Sequence, residues 1–315
     1  MTRIGIAGAG AWGMALAHAA RRAGSEPVVW SRRGAVAGAT VDSIPVSGDA
    51  EILKTADMLL LTVSAQEIAS VAGRLEPAVA PSLPLIVCAK GIARPEHRLL
   101  DDVLEEVLPG RPVAILSGPS FADEVVKGLP TAVTIAARDA ALAERIAAAM
   151  GSASFRPYVS TDPVGVQLGG AVKNVIAIAC GIVAGRRLGE NARAALMTRG
   201  LAETARLGRA MGARPETFAG LAGLGDLSLT ATSTSSRNFR LGFALGQGAS
   251  VAEAAAHITG VVEGVATAQA VVALAAQHNV EMPISAAVAA IVEHGADIGQ
   301  TMIGLLARPF KTETA

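Results

Sequence analysis

The sequence predicts an α/β protein in which a doubly wound, mostly parallel sheet is followed by an all-helical region. Short apolar runs alternate with longer helical segments over residues 2–162, as they do in βαβ units. Glycines divide the first apolar stretch into a strand and a helix, and the strand pattern stops after residue 162. We therefore expect two domains, residues 1–162 and 163–315.

Composition restricts the function classes. Of 315 residues, 51% are apolar and 17% charged, which supplies enough apolar surface for a core and excludes general disorder. The 27 basic and 27 acidic residues balance, so no overall field favours nucleic acid or a membrane surface. We expect no secretion signal and no membrane span, hence a cytoplasmic protein. Cys88 and Cys180 stand in apolar stretches and should be reduced core residues.

Each predicted strand is a short apolar run, as a sheet covered on both faces requires. The predicted strands are 3–7, 27–30, 58–63, 85–88, 113–116, 132–136 and 154–158. The helices predicted between them are 12–22, 66–75, 95–107, 122–126 and 140–150.

The second region starts with a strong helix signal. Asp162 supplies an N-cap acid and Pro163 suits the first helical position. The Gly/Ser/Thr-rich segment 220–236 is expected to be a long loop. The predicted helices are 163–184, 192–211, 239–245, 251–258, 264–278 and 283–294.

A Gly-x-Gly-x-x-Gly pattern follows the first strand and opens the first helix. It consists of Gly8, Gly10 and Gly13, with Ala11 and Trp12 between the last two glycines. Such glycines allow a tight turn and a close approach of backbone N–H groups to a pyrophosphate, and the helix N-terminus adds partial positive charge. The pattern indicates dinucleotide binding by a Rossmann-like domain.

The end of the second strand discriminates between cofactors. NAD-specific sites usually place an acid there for the ribose 2′-OH, but here Arg32 and Arg33 follow the strand and the first acid is Asp42. Two arginines suit a 2′-phosphate. The sequence therefore favours NADP(H), with NAD(H) as the alternative.

Three charges stand alone in long uncharged stretches. They are Lys90 within 77–93, Lys173 within 164–185 and Asp226 within 217–236. A buried charge is costly unless it is paired or functional, and desolvation lowers the pKa of a lysine. We expect Lys173 and Asp226 to face each other in a ligand cleft. The alternative is that the lysines reach the surface and Asp226 caps a turn.

Two further groups could hold a small ligand. Gly118 and Ser120 follow the strand 113–116, at the carboxyl edge where doubly wound sheets bind ligands. Ser236, Arg237 and Asn238 start a helix, and their donors suit a phosphate. The five histidines have no His, Cys or acid partner at ligand spacing, so no metal site is predicted.

Taken together, these motifs resemble the bacterial-type NAD(P)-dependent sn-glycerol-3-phosphate dehydrogenase family over nearly the whole chain. The matching segments are 8–13, 89–91, 117–122, 167–174, 198–203, 223–227, 236–238 and 262–264. Two segments depart from the family pattern: 34–51 is shorter than usual, and 184–187 replaces a stretch that normally begins Asp-Gly.

The resemblance implies the reaction and the site. The reaction would interconvert dihydroxyacetone phosphate and sn-glycerol 3-phosphate, supplying phospholipid synthesis, with Lys173 as the proton donor and acceptor. The implied substrate-binding residues are Lys90, Gly118, Ser120, Lys173, Asp226, Ser236, Arg237 and Asn238. The implied cofactor-binding residues are Gly8, Gly10, Ala11, Trp12, Gly13, Arg32, Arg33, Lys90, Ala122, Arg237, Val261 and Glu263.

Two other functions stay open from the residues alone. One is a two-domain dehydrogenase for a hydroxyacid, such as a ketopantoate or 3-hydroxyacid enzyme, which also uses a lysine on the first helix of its second domain. The other is a dinucleotide-binding regulator that keeps the fold without turnover. The sequence also leaves a homodimer open.

Overall fold

A computed structural model of the chain describes residues 1–32 and 39–309. Its sheet has nine strands in the order β3-β4-β2-β1-β5-β6-β7-β8-β9. Only the pairs β3–β4 and β7–β8 are antiparallel within the described residues. The strands are β1 Arg3–Ala7, β2 Glu26–Trp30, β3 Ala39–Val41, β4 Ile44–Ser47, β5 Met58–Leu61, β6 Leu85–Val87, β7 Val113–Ser117, β8 Thr131–Ala137 and β9 Phe155–Ser160.

The seven strands predicted from the sequence are present, and their ends differ from the prediction by at most two residues. The hairpin formed by β3 and β4 was not predicted. Its turn residues Asp42 and Ser43 have φ angles of 49° and 65°, a conformation usually signalled by Asn-Gly or Asp-Gly. The pairing of β4 with β2 begins only at Val46, so Pro45, which has no N–H, lies before that ladder.

Helices cover both faces of the sheet and then form the second half of the chain. Those among the strands are α1 Ala11–Arg22, α2 Ile68–Leu75, α3 Leu100–Val107, α4 Ala122–Val126 and α5 Ala140–Met150. The later ones are α6 Pro163–Gly185, α7 Glu190–Ala210, α8 Pro215–Ala219, α9 Asp226–Thr232, α10 Arg237–Gly246, α11 Val251–Ala256, α12 Glu263–Gln277, α13 Pro283–His294 and α14 Ile298–Leu306.

Helix α6 is the centre of the second half. Its Asp162 cap accepts a hydrogen bond from the Gly165 N–H at 2.9 Å, as the sequence predicts. It is long and apolar enough to cross a membrane, but 89% of its most apolar window is buried inside the protein. Glycines on α10 allow a close approach, since a Cβ on Gly242 would lie 1.9 Å from the Ile178 carbonyl oxygen.

The predicted loop over 220–236 is wrong. Leu221–Gly225 forms a π-helical turn that continues directly into α9. Glycines in this turn allow the backbone to pack closely on neighbouring backbone. A Cβ on Gly223 would lie 2.1 Å from the Phe218 carbonyl oxygen. Leu227 and Ala231, one helical turn apart, are buried in the core around α6, and this burial stabilises a helix that composition alone argued against.

One helix prediction fails at its start, and two further helices, α8 and α14, were not predicted. The helix predicted over 95–107 begins only at Leu100, because residues before it form a turn in which the Ala93 N–H donates to the Arg98 carbonyl at 3.0 Å. Helix α14 was not predicted, although Asp297 caps it by accepting from the Gln300 N–H at 2.8 Å.

Both cysteines are buried and free, and burial raises the pKa of both thiols. Within residues 1–32 and 39–309, no group of three or more His, Cys, Asp and Glu side chains could hold a metal ion.

Candidate active site

The carboxyl edge of the sheet carries the Gly-rich turn. Gly8 has a φ of +121°, and a Cβ on Gly13 would lie 1.9 Å from the Gly8 carbonyl oxygen. Thr62, after β5, donates its hydroxyl to the Ala7 and Gly8 carbonyls at 2.9 and 3.0 Å. The turn is therefore held tightly against the sheet, and only glycine fits at both positions.

The open side of this turn fits a pyrophosphate. The N-cap of α1 is Gly10, which has no side chain to cap the first N–H groups, and a Cβ there would meet nothing within 4 Å. Gly10 and Ala11 are exposed. Trp12 and Ala122 pack on the apolar core of the sheet half, and the buried Trp12 Nε1 has no hydrogen-bond partner among the described residues. The N-terminus of α1 can accept an anion on its free donors.

The three isolated charges meet at one point. Asp226, at the start of α9, has 0% exposure and accepts from two lysines. Lys173 Nζ donates to its Oδ1, and Lys90 Nζ donates to its Oδ2 at 2.7 Å. Lys173 also donates to the Thr230 hydroxyl at 2.8 Å. One carboxylate therefore lies between two ammonium groups, in the arrangement the sequence predicts for Lys173 and Asp226.

This environment places the Lys173 pKa near neutrality. Lys173 is 7% exposed, and burial lowers its pKa to about 7, while the Asp226 carboxylate opposes the fall and the Lys90 ammonium adds to it. Near neutral pH both forms are therefore populated, which is what a group that gives and takes protons requires.

Only five of the 27 basic residues are lysines, and two of those five, Lys90 and Lys173, contact Asp226. The others are Lys54, Lys127 and Lys311. An arginine would remain protonated in any protein environment, whereas a lysine ammonium can lose its proton when buried. The residue type at position 173 is consistent with proton transfer.

Lys90 is also tied to the end of β7. Its Nζ donates to the Gly118 carbonyl at 2.8 Å, and the Ser120 hydroxyl donates to the same oxygen at 3.0 Å. Gly118 has a φ of +136°, and a Cβ there would lie 3.0 Å from the Val133 Cα. Glycine is therefore required at the position that presents this carbonyl to Lys90.

Two glycines on α6 allow the elements of the site to approach each other. A Cβ on Gly169 would lie 2.5 Å from the Ala222 carbonyl oxygen, and one on Gly170 would lie 2.5 Å from Ser117 Oγ. Position 170 precedes Lys173 by one helical turn, on the same side of α6. The sequence predicts close approach of backbone or ligand at this face, and here the neighbours are the π turn and the end of β7.

A chain of amides connects Lys90 to the helical half. The Asn174 amide donates to the Lys90 carbonyl at 3.0 Å, and the Asn238 amide donates to Asn174 Oδ1 at 2.9 Å. Asn238 Oδ1 in turn accepts from the Gly264 N–H at 3.0 Å. These buried bonds fix the backbone of Lys90 relative to α6, α10 and α12.

Glu263 and Arg237 are the sequence neighbours of Gly264 and Asn238, two members of this chain of amides. Burial raises the pKa of Glu263, while hydrogen bonds from the backbone N–H groups of Ala65 and Lys90, together with the Arg237 charge, oppose the rise. Arg237 is exposed, and a Cβ on Gly260 would lie 2.7 Å from its Nη1. The cofactor residues implied by the resemblance, Arg237, Glu263 and the exposed Val261, thus lie near one another.

The three residues expected to bind phosphate differ in what they offer. The Ser236 hydroxyl accepts from the Phe239 N–H at 3.2 Å as the cap of α10, and Asn238 is buried in the amide chain. Arg237 projects an exposed guanidinium from the first residue of that helix. The structure brings the three together, with Arg237 as the most accessible donor.

The end of β2 carries one described arginine. Arg32 forms an ion pair with Glu67 at 2.5 Å, while Arg33 lies outside the described residues. Asp42, the first acid after β2, lies 3.3 Å from His18 Nε2, and its carbonyl accepts from Arg21. Asp42 is therefore already engaged by α1, and Arg32, which the sequence analysis expects at the cofactor, is paired with Glu67 in this structure.

Sequence reasoning missed two residues of the site. Thr230 accepts from Lys173 and lies four residues after Asp226, so reading 226–232 as a helix would have placed both on one face. Asn174 adjoins Lys173 in sequence but was not selected. The motif 198–203 has a separate role, since Glu203 accepts from the Ile284 and Ser285 N–H groups and caps α13.

Comparisons with known proteins find similar sequences over almost the whole chain. Models of the N-terminal and C-terminal domains of NAD-dependent glycerol-3-phosphate dehydrogenase match residues 42–143 and 162–303. An NAD(P)+ glycerol-3-phosphate dehydrogenase from Parvibaculum lavamentivorans is 49% identical over 327 aligned positions, which cover 99% of this chain and 98% of that protein. Its counterpart from Rhodospirillum rubrum is 49% identical over 326 aligned positions, which cover 98% of this chain and 93% of that protein.

A solved structure shows the same similarity. The crystal structure of glycerol-3-phosphate dehydrogenase from Coxiella burnetii is 37% identical, with a TM-score of 0.90 over 98% of this chain and 99% of that one.

The titration of Lys173 can be measured directly because the chain has only five lysines. With lysine labelled by ¹³C at Cε, the Lys173 signal should titrate with a midpoint near pH 7, and Lys173→Arg should remove that signal. Asp226→Asn should lower the midpoint because it removes the opposing carboxylate, and Lys90→Met should raise it. A Lys173 midpoint near 10 in the wild-type protein would contradict the burial argument.

Proposed function

Because this chain belongs to the NAD-dependent glycerol-3-phosphate dehydrogenase family, we propose that it interconverts dihydroxyacetone phosphate and sn-glycerol 3-phosphate with NADPH or NADH. The observation that carries this proposal is the buried Lys173–Asp226–Lys90 cluster beside the carboxyl edge of the sheet. In the reducing direction the product would supply phospholipid synthesis.

Lys173 is the proposed acid and base. When bound, the nicotinamide dinucleotide supplies the hydride that reduces the C2 carbonyl. Protonated Lys173 Nζ donates its proton to the C2 oxygen as negative charge develops there, and Lys90 contributes a second positive charge. Asp226 keeps Lys173 oriented and, by raising its pKa, keeps part of it protonated at neutral pH. In the oxidising direction neutral Lys173 takes the proton.

The remaining site residues hold the ends of the two ligands. Arg237, with the helix N-terminus that Ser236 caps and with Asn238, binds the substrate phosphate, and this remote binding orients C2. Gly118 and Ser120 are assigned to the substrate site beside Lys90, whose ammonium donates to the Gly118 carbonyl. The Gly8–Gly13 turn with Ala11, Trp12 and Ala122 holds the pyrophosphate side of the cofactor. Arg32 and Arg33 are assigned to the adenosine ribose, and Val261 and Glu263 are assigned to the dinucleotide without a defined end.

We assign residues 1–162 to a dinucleotide-binding domain and residues 163–315 to a helical substrate domain. We place the enzyme in the cytoplasm, without a membrane span, and a homodimer is compatible with this assignment. A hydroxyacid substrate would be a carboxylate, and the Arg237 end of the site is proposed to hold a phosphate instead. A regulator without turnover would not require the buried cluster of Lys173, Asp226 and Lys90.

The substrate proposal predicts a strong preference for a phosphorylated ketone. NADPH oxidation should be much faster with dihydroxyacetone phosphate than with dihydroxyacetone. Arg237→Ala should raise KM for the phosphate about 10- to 100-fold, because charge-assisted bonds of about 1.5–3 kcal/mol are lost. Arg240→Ala, an exposed arginine on the same helix, is the matched control and should leave KM nearly unchanged. Equal rates on the two ketones would refute the assignment.

The cofactor proposal predicts that NADPH is preferred and that Glu67 limits the preference. Arg32→Ala should weaken NADPH binding about tenfold and NADH binding little, since the lost contact is to the 2′-phosphate. Glu67→Gln should tighten NADPH binding because it frees Arg32 and removes a nearby negative charge. Glu51→Gln, whose carboxylate pairs with Lys54 on the surface, is the control. Tighter binding of NADH than of NADPH by the wild-type protein would contradict the proposal.

A further inference from the structure

The segment that carries Lys90 crosses from the sheet to the helical half of the protein. Ile92, two residues after Lys90, has 0% exposure and belongs to the core around α6. A Cβ on Gly91 would lie 2.7 Å from the Ala65 Cβ and 3.4 Å from the Thr267 hydroxyl, so the segment is enclosed between the two halves. The position of the Lys90 ammonium therefore depends on how this segment is anchored.

Arg94 supplies an anchor at the far end of the segment. Its guanidinium donates to Gln269 Oε1 on α12 at 2.9 Å and to Glu293 Oε1 on α13 at 2.6 Å. The Arg94 and Glu293 side chains are 29% and 23% exposed, so this ion pair is partly shielded from water.

The backbone at Arg94 is anchored to the other half. The Arg94 N–H donates to Gln66 Oε1 at 2.9 Å, and the Gln66 amide donates to the Ile92 carbonyl at 2.8 Å. Arg94 also stands in the turn closed by the hydrogen bond from Ala93 to Arg98. The side chain thus reaches the helical half from a backbone fixed to the sheet half.

We propose that Arg94 is a positioning residue. Through its bonds to Glu293 and Gln269 it holds residues 90–94, here called the Lys90 segment, in the position at which the Lys90 ammonium contacts Asp226. The proposal rests on the function proposed above for Lys90 and Asp226. Arg94 acts through the segment and touches no reacting atom. Without Arg94, the segment keeps its apolar anchor at Ile92 and the backbone hydrogen bonds of Lys90 to Asn174 and Glu263, but its far end loses the ion pair to α13 and the bond to α12.

We expect a displacement of Lys90 to change the titration midpoint of Lys173. The charged groups that face the Lys173 ammonium are Asp226 from α9 and Lys90 from the segment, and the Thr230 hydroxyl completes its surroundings. When Lys90 moves away, Lys173 loses a positive neighbour, and its titration midpoint rises. A loss of general stability alone would not produce this shift.

The test compares Arg94→Ala and Glu293→Gln with Arg98→Ala. Arg98 lies in the same turn but pairs with Glu106 and the Asp102 carbonyl, within the sheet half. Arg94→Ala should lower kcat/KM for dihydroxyacetone phosphate about tenfold, leave NADPH affinity within about twofold, and raise the Lys173 midpoint in the ¹³C titration. Glu293→Gln should shift both quantities in the same direction by less, and Arg98→Ala should leave both unchanged.

Exchanging the two charges of the Arg94–Glu293 ion pair provides a second test. The double variant Arg94→Glu with Glu293→Arg should recover part of the kcat/KM lost in Arg94→Glu alone. The proposal is overturned if Arg94→Ala keeps wild-type kcat/KM and an unchanged Lys173 midpoint, or if Arg98→Ala reproduces its effects. Absence of turnover by the wild-type protein would refute the proposed function, whereas the Lys173 midpoint would still test Arg94.

Discussion

The arrangement of the site depends on one buried carboxylate between two ammonium groups. Asp226 has no exposure to water and accepts hydrogen bonds from both Lys90 and Lys173. Removal of one partner from such a cluster leaves buried charge uncompensated, so the three groups stabilise one another only as a set. The set carries one net positive charge when Lys173 is protonated and none when it is not. Burial lowers the Lys173 pKa to about 7, and the Asp226 carboxylate limits the fall while the Lys90 ammonium adds to it.

Bringing the three charges together requires close packing of backbone on backbone. Gly169 and Gly170 admit the π turn and the end of β7 to the face of α6, and Gly118 presents the carbonyl that holds Lys90. The two halves of the chain meet through Lys90, because its backbone is bonded to Asn174 and Glu263 while its side chain contacts Asp226. Lys90 therefore belongs both to the charged cluster and to the contact between the two halves.

Much of this could be predicted from the sequence because the signals were local. Apolar runs gave the seven main strands, and the isolated charges identified the members of the central cluster. The helix at 226–232 could not be predicted, because the glycines of the turn before it and its own Ser and Thr residues are typical of a loop. Only its burial against α6 shows that the segment is helical. Thr230 was missed for the same reason, since its relation to Asp226 exists only in a helix. The contacts of Arg94 join residues up to 199 positions apart and leave no local pattern.

The central claim is that Lys173 transfers the proton. The direct measurement is the single-turnover rate of NADPH oxidation by dihydroxyacetone phosphate in Lys173→Ala, beside the affinity of the same variant for NADPH. The account predicts a rate lower by about 10²- to 10⁴-fold with NADPH affinity retained, since the nucleotide turn lies on a different element. A folded variant that keeps a rate near that of the wild-type protein would contradict the account.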